Sequence, residues 1–145
     1  NKKKKTLSKM HLFDSWGPIK KEDLLESELP SEGRYSELEL NVTKNNLKEY
    51  NDLIVYHKGY IPEIFHQIPK PPDSIVYMHV DVNSTKPTID SLEYFFPKLV
   101  NGGVILFDDY GWNNHKDTKH AVDEFFKNKP GHLMHLPTAQ AIYFR

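Results

Sequence analysis

The fold of this 145-residue chain is decided by residues 79–111, which read HVDVNSTKPTIDSLEYFFPKLVNGGVILFDDYG. The stretch joins a strand-type run at 74–82 to a second one at 104–107. Between them, the apolar residues of 87–99 recur at a helical period of about 3.6, and Pro97 is predicted to kink or stop this helix near its end. Both runs are almost continuously apolar, which is typical of strands covered on both faces in a parallel sheet. Residues 79–111 therefore predict two parallel strands joined by a helix.

Strand-type and helix-type segments also alternate along the rest of the chain. Strands are predicted at 11–13 and 53–56, and helices over the later part of 36–50, over 62–67 and over 117–127. Two last strands, 132–136 and 140–144, are separated by a connection short enough for a hairpin. This alternation predicts an α/β fold, with an open, mainly parallel sheet, helices on both faces and a C-terminal antiparallel hairpin.

Composition narrows the class of protein. The length predicts one domain, and 19 basic against 20 acidic residues argue against a nucleic-acid binder held by bulk charge. The absence of cysteine excludes disulfide bonds, thiolate zinc sites and cysteine nucleophiles, and it fits a cytoplasmic protein. No apolar run approaches the roughly 20 residues of a membrane helix. No apolar stretch follows the lysine run at 2–5, as it would in a signal peptide.

Acidic residues stand where three of the predicted strands end. Asp14 and Asp81 end two of them, and Asp108 with Asp109 directly follows a third. Ligands of open α/β sheets bind beyond the carboxyl ends of the strands, and carboxylates gathered there suit a hard cation such as Mg²⁺. The alternative is that each acid caps the helix that follows it, although two adjacent carboxylates are more than one cap requires.

Residues 79–111 resemble the core of the macrocin O-methyltransferase family, which belongs to the S-adenosylmethionine-dependent methyltransferases of Rossmann-like fold. Members of that family show an acidic strand end, a helix reading like PT…LE.FYP.L and then GG.I.FDDY, and this chain follows the same order. The similarity continues in AVDEFF at 121–126 and QAIYFR at 140–145, and upstream in LFDSWG at 12–17 and HKGYIPEIF at 57–65. It covers nearly the whole chain.

The resemblance implies a Mg²⁺-dependent O-methyltransferase that uses S-adenosylmethionine. Asp81, Asp108 and Asp109 match the acidic metal ligands of the family. The metal would hold two adjacent substrate oxygens and lower the pKa of the one that attacks the methyl group. The implied substrate is a small hydroxylated metabolite, such as a sugar or a glycosylated natural product, with no nucleic acid or membrane as partner. A homo-oligomer is compatible with this interpretation.

Three further residues are implied to bind the cofactor. Asp14 matches the acid that holds the ribose hydroxyls of S-adenosylmethionine. A carboxylate suits that role because it can accept hydrogen bonds from both hydroxyls of a vicinal diol. Gly59 and Tyr60 follow the strand at 53–56 and fall where the family approaches the adenine.

Histidine is the residue type best suited to act as a general base beside these sites. His115 lies on the loop after the acidic pair and is the leading candidate. His57 is a further candidate by type. His79 lies in a strand two residues before Asp81 and is predicted to be a packed, hydrogen-bonded histidine instead.

Two departures from the family pattern qualify the resemblance. Asn83 stands where many members have a second acid, and its amide oxygen can bind a cation but brings no charge. Nothing in 1–10 matches the first strand and glycine-rich turn of the fold. The expectation is therefore a single methyltransferase domain over 1–145 that lacks its N-terminal part. On this interpretation, the lysine run at 2–5 is the end of a solvated helix or loop.

Two other functions stay open at this point. The missing turn and Asn83 favour a catalytically silent methyltransferase-like module that acts as a binding or scaffold domain. The acidic strand ends alone would also suit a Mg²⁺-dependent hydrolase of phosphate esters. Against the hydrolase, no lysine or serine lies in an obvious phosphate-binding turn.

Overall fold

The computed structural model describes residues 8–145, so the interpretation of the lysine run at 2–5 lies outside the described residues. The strands are β1 (Met10–Asp14), β2 (Ile54–Lys58), β3 (Ile75–Val80), β4 (Leu99–Phe107), β5 (His132–His135) and β6 (Ala141–Phe144). The helices are α1 (Leu40–Asn46), α2 (Glu63–His66), α3 (Thr85–Phe95) and α4 (Lys116–Phe126). No helix between residues 8 and 145 is long and apolar enough to cross a membrane.

The strands form two sheets. In the first, β1 and β2 are parallel, with Met10 opposite Ile54 and Asp14 opposite Lys58. The second has the order β3-β4-β6-β5, in which β3 and β4 are parallel and β6 is antiparallel to both β4 and β5. The predicted α/β fold with parallel strands and a C-terminal antiparallel hairpin is confirmed. Within the described part of the chain, however, no hydrogen-bonded ladder joins β1 to β3.

Helices α3 and α4 pack on one face of the second sheet and form the main core. Leu92 of α3 and Val122 of α4 are fully buried in the same apolar cluster as Ile105 of β4 and Tyr143 of β6. The ring of Tyr143 stacks on that of Phe126 with 3.9 Å between centroids. The helical period places the large apolar residues of both helices toward the sheet, which explains why the apolar pattern predicted them correctly.

A second apolar cluster fastens β1 to the helices. The ring of Phe13 lies 5.6 Å from that of Phe65 in α2 and 5.2 Å from that of Phe95 in α3, measured between centroids. Met78 of β3 packs against the same cluster. Strands β1 and β3 therefore contact one apolar layer, although their edges are not hydrogen-bonded to each other.

Of two predicted boundaries around β4, one is confirmed and one is wrong. Helix α3 ends before Pro97, as predicted, because the ring nitrogen of proline has no hydrogen to donate to the preceding turn. The turn predicted at 101–103 belongs to β4 instead. The Gly102 N–H donates to the carbonyl of Arg145 at 2.8 Å, so the C-terminal residue extends the sheet where the sequence suggested a turn.

Two histidines meet across the β1–β2 pair. Nδ1 of His11 lies 2.9 Å from Nε2 of His57, and their rings stack with 5.1 Å between centroids. The ring of Phe13 also stacks on that of His57, at 4.4 Å. Burial lowers the pKa of His11, and burial together with the neighbouring His11 lowers the pKa of His57. The folded protein therefore favours the neutral form of both rings.

We expect this histidine pair to reduce stability in mild acid. In the unfolded chain each imidazole takes up a proton near pH 6.5, whereas the lowered pKa values keep both rings neutral to lower pH in the folded protein. The unfolded state therefore binds more protons below pH 6.5, and the free energy of unfolding falls as the pH drops through this range. Thermal melts between about pH 7.5 and about pH 5.5 measure this effect. The melting temperature of the double variant His11→Gln, His57→Gln should fall less over this range than that of the unchanged protein.

The control for this prediction is His120→Gln, because His120 is exposed on α4. The control should lose stability with falling pH as the unchanged protein does. An equal loss in the double variant, the control and the unchanged protein would contradict the prediction.

Candidate active site

The three acids predicted as metal ligands come together at the carboxyl edge of the second sheet. Strands β3 and β4 are parallel neighbours, so Asp81 and the pair Asp108 and Asp109 leave the sheet side by side. The backbone N–H of Asp108 donates to the carbonyl of Val80 at 3.0 Å. One carboxylate oxygen of each acid lies within 4.8 Å of the other two. Three oxygen ligands at this spacing fit one hard cation between them.

Two members of this acidic cluster (Asp81, Asp108 and Asp109) have a pKa above the ordinary value of an aspartate. Burial and the charges of Asp109 and Asp108 raise the pKa of Asp81. Burial also raises the pKa of Asp109, whereas His115 and the backbone N–H of Asn83 act on it in the opposite direction. Like charges held this close favour a bound cation or a proton, so the electrostatics fit the predicted ligand.

Hydrogen bonds hold two of the acids in place. The Asp109 carboxylate accepts the backbone N–H of Asn83 at 3.0 Å, and the Asp108 carboxylate accepts the side-chain amide of Gln140 at 2.6 Å. Sequence reasoning missed Gln140, because a glutamine before a terminal strand carries no signal of its own. It reaches Asp108 because β6 pairs with β4, which places Ala141 opposite Phe107.

The three histidines considered as bases occupy different environments. His115 is 6% exposed, and its Nε2 lies 3.5 Å from a carboxylate oxygen of Asp109. Its Nδ1 is buried and has no hydrogen-bond partner within residues 8–145. His79 is exposed, with Nε2 at 4.0 Å from Asp108, so the prediction that it is packed was wrong. His57 belongs to the histidine pair on the β1–β2 sheet.

A cleft of about 260 Å³ is lined by the predicted cofactor residues and by one member of the acidic cluster. Asp14, Gly59 and Tyr60 line it together with Asp81, and Tyr35 is a further lining residue. The backbone N–H of Gly59 donates to the carbonyl of Asp14 at 2.9 Å, which joins the carboxyl ends of β1 and β2. The structure thus brings residues predicted for the cofactor and one predicted metal ligand into a single cavity.

Each predicted cofactor residue also makes contacts within the protein. One carboxylate oxygen of Asp14 accepts the backbone N–H of Trp16 at 2.6 Å, and the Tyr60 hydroxyl donates to the carbonyl of Pro18 at 2.9 Å. A Cβ atom at Gly59 would lie 3.0 Å from Cδ1 of Ile64. A glycine is therefore favoured at position 59 by packing, whatever the cleft binds.

The amide oxygen of Asn83 does not face the acidic cluster. It accepts the hydroxyl of Tyr35 at 2.9 Å, and the amide nitrogen lies 3.3 Å from a carboxylate oxygen of Asp81. The idea that this oxygen replaces a carboxylate as a cation ligand is therefore wrong for this conformation. Asn83 has φ of 59°, a left-handed conformation that asparagine adopts more readily than most residues. This backbone turn directs its N–H at Asp109.

Sequence analysis also missed a buried glutamate behind the cleft. Glu28 is 5% exposed, and one of its carboxylate oxygens accepts the backbone N–H of Thr85 at 2.9 Å and the hydroxyl of Thr85 at 2.6 Å. The other oxygen accepts the N–H of Leu25 at 2.9 Å. The Thr85 hydroxyl also lies 3.0 Å from that of Thr118 in α4. Glu28 stands in a short, charged 3-10 helix (Glu26–Ser31), and only the fold shows that this glutamate is buried.

Comparison with known proteins shows to which family the chain belongs. A family model described as Macrocin-O-methyltransferase (TylF) matches residues 2–145. The chain belongs to the macrocin O-methyltransferase family. This confirms the resemblance carried by residues 79–111. Among curated proteins, none matches the chain significantly.

Solved structures show how much of the fold this macrocin O-methyltransferase family member shares with others. It superimposes on "Structure of the O-methyltransferase NovP" with a TM-score of 0.77 and 20% identity, covering 94% of this chain and 60% of that one. The superposition on "Crystal Structure of CalS11, Calicheamicin Methyltransferase" has a TM-score of 0.72 and 19% identity, and it covers 94% of this chain and 60% of that one. The superposition on the apo structure of CalS11, titled TDP-rhamnose 3'-o-methyltransferase, has a TM-score of 0.64 and 18% identity. It covers 94% of this chain and 57% of that one. At this identity the likeness shows the fold, and the chain spans about 60% of the NovP structure.

Proposed function

We propose that this chain contributes the residues that bind the cofactor and the metal in an S-adenosylmethionine-dependent O-methyltransferase. The single observation that carries the proposal is the cleft shared by Asp14, Gly59, Tyr60 and Asp81. Membership of the macrocin O-methyltransferase family supports the reaction type. The proposed substrate is a small hydroxylated metabolite, such as a sugar or a glycosylated natural product, and the proposed location is the cytoplasm. A homo-oligomer stays a prediction.

The acidic cluster is the proposed Mg²⁺ site. Three carboxylate oxygens within 4.8 Å of one another are the hard donors that Mg²⁺ prefers, so the residues present fit this ion. When bound, the metal supplies charge that lowers the pKa of a substrate hydroxyl. Asp81 also lines the cleft, so a substrate held at the acidic cluster would lie beside the residues proposed to bind the cofactor. The chain's main contribution is then to orient the attacking oxygen toward the methyl group.

The residues on the other side of the cleft are proposed to hold the cofactor. Asp14 has one oxygen engaged with the N–H of Trp16, which fixes the carboxylate and leaves the second oxygen for the ribose hydroxyls. Gly59 and Tyr60 would lie on the adenine side. Tyr60 is held by its hydrogen bond to Pro18 and by the ammonium of Lys20, which lies 3.8 Å from the ring centroid.

His115 was predicted as the general base, and that role stays a prediction. Its burial and its Nε2 at 3.5 Å from Asp109 favour a positioning role instead, in which the imidazole orients this carboxylate. In that case a group other than His115 would accept the proton of the substrate hydroxyl. A variant His115→Gln separates the two roles, because a positioning histidine affects cation affinity while a pure base does not.

We also propose that the described strands belong to one methyltransferase domain whose sheet has another strand between β1 and β3. The two strands contact the same apolar cluster, direct their carboxyl ends to the same cleft, and share no ladder. A parallel strand in this position would satisfy both edges. Hydrogen exchange of the full-length protein tests this, since slow exchange along the inner edges of β1 and β3 is expected. Fast exchange at both edges would contradict the proposal.

Titration of S-adenosylmethionine into the full-length protein by calorimetry tests the cofactor assignment. Asp14→Asn should weaken binding by about 10- to 100-fold, because hydrogen bonds to a charged group are worth about 1.5–3 kcal/mol. Asp52→Asn, an exposed position before β2, should bind as the unchanged protein does. Equal affinity in all three proteins would overturn the role of Asp14.

The second candidate function is a catalytically silent binding module. It is favoured by the orientation of Asn83, which presents an amide nitrogen to Asp81 where many family members have a second acid. Absence of S-adenosylmethionine binding by the unchanged full-length protein would remove the enzyme proposal and favour this module.

A further inference from the structure

A chain of hydrogen bonds runs from the surface to the acidic cluster. Nη2 of Arg34 donates to the hydroxyl of Tyr35 at 3.2 Å, and that hydroxyl donates to the amide oxygen of Asn83 at 2.9 Å. The amide nitrogen of Asn83 donates to Asp81 at 3.3 Å, and its backbone N–H donates to Asp109 at 3.0 Å. Asn83 therefore links the loop that bears Tyr35 to two of the three acids.

The direction of this chain follows from the chemistry of its first member. A guanidinium has only donors, so the oxygen of Tyr35 must accept from Arg34. The single hydroxyl proton of Tyr35 is then available for Asn83, whose side chain must present its oxygen to it. The amide nitrogen is left facing Asp81, a carboxylate that can only accept when ionised. Each member thus fixes the orientation of the next.

The loop at 19–34, which bears Arg34 and directly precedes Tyr35, is held at both its base and its middle. The N–H of Ile19 donates to the carbonyl of Arg34, and the N–H of Gly33 donates to the carbonyl of Ile19, both at 3.0 Å. These bonds close residues 19–34 into a compact surface loop. The buried Glu28 then attaches the loop to the first residue of α3. Tyr35 is therefore presented to Asn83 from a firmly attached segment.

We propose that Asn83 acts on the acidic cluster as a hydrogen-bond donor held in one orientation by Tyr35, and that Tyr35 is a positioning residue for cation binding. This inference rests on the proposed Mg²⁺ site. Two N–H groups of Asn83 hold carboxylates of Asp81 and Asp109, so that their other lone pairs face the space between the acids. Residues that orient metal ligands in this way typically change metal affinity by about 10- to 100-fold.

Mn²⁺ binding, measured by calorimetry and by the electron paramagnetic resonance spectrum of the bound ion, tests the proposal. Tyr35→Phe removes the hydroxyl and should lower Mn²⁺ affinity by about 10-fold or more. If Asn83 were instead a cation ligand, the same change would release its amide oxygen, and affinity would hold or rise. An unchanged or a higher Mn²⁺ affinity in Tyr35→Phe would therefore overturn the proposal.

The matched control is Tyr56→Phe. The hydroxyl of Tyr56 on β2 donates to the amide oxygen of Asn51 at 2.8 Å, so this variant removes the same kind of bond at another place. It should leave Mn²⁺ affinity unchanged. An equal loss of affinity in both variants would show a general effect of the substitution and would also overturn the proposal.

A measurement without metal separates this inference from the metal site itself. In the nitrogen–proton correlation spectrum, the side-chain amide signals of Asn83 should shift in Tyr35→Phe and stay in place in Tyr56→Phe. If the signals shift but the unchanged protein binds no Mn²⁺, the orientation of Asn83 by Tyr35 holds and the proposed metal site fails. If the signals do not shift, the inference fails whether or not the ion binds.

Discussion

Asp108→Asn is expected to weaken Mg²⁺ or Mn²⁺ binding by at least about 100-fold. Loss of an outer partner of a metal ligand already costs about 10- to 100-fold, and this change removes the charge of a proposed ligand itself. The Gln140 amide that donates to Asp108 would also face a neutral acceptor. Metal-dependent methyl transfer should disappear with the affinity. Calorimetric titration of the ion gives the binding constant without requiring activity.

A matched control for this prediction lies at the other end of β3. Asp73 is exposed and precedes the strand that Asp81 follows, so Asp73→Asn changes the same charge at the opposite edge of the sheet. This variant should keep the affinity of the unchanged protein. If Asp108→Asn kept both ion binding and chelator-sensitive activity, the metal assignment would be wrong.

Leu92→Ala is expected to lower the free energy of unfolding by about 2–5 kcal/mol, which is the usual cost of such a change in a packed core. Leu92 has no exposed surface and lies on α3, in the same buried cluster as Ile105 and Tyr143 of the second sheet. Removing its side chain leaves a cavity that the surrounding strands and α4 fill only in part. Urea unfolding followed by circular dichroism measures the loss.

The control for the core prediction is Leu38→Ala, which makes the same chemical change at a position that is 42% exposed. Its cost should stay below about 1 kcal/mol, because little apolar surface is returned to water. Equal losses at the two positions would show that the cluster around Leu92 is not the main core.

Much of the candidate site follows from local sequence. Asp81, Asp108 and Asp109 could be placed together because apolar runs of strand type precede them and parallel strands end at the same edge. Asp14 and Gly59 follow two other such strands and meet for the same reason. What could not be predicted are partners that lie far away along the chain, because a hydrogen bond depends on where the two elements pack.

The amino-acid sequence alone determined the alternation of strands and helices, the acidic strand ends and the family, since apolar periodicity and short motifs are local properties. Tertiary structure decided the rest. The pairing of β6 beside β4 brought Gln140 to Asp108, and the attachment of Glu28 to α3 brought Tyr35 to Asn83. Packing also turned the amide oxygen of Asn83 away from the acids. An amide can present either a donor or an acceptor, and only its neighbours in space select one.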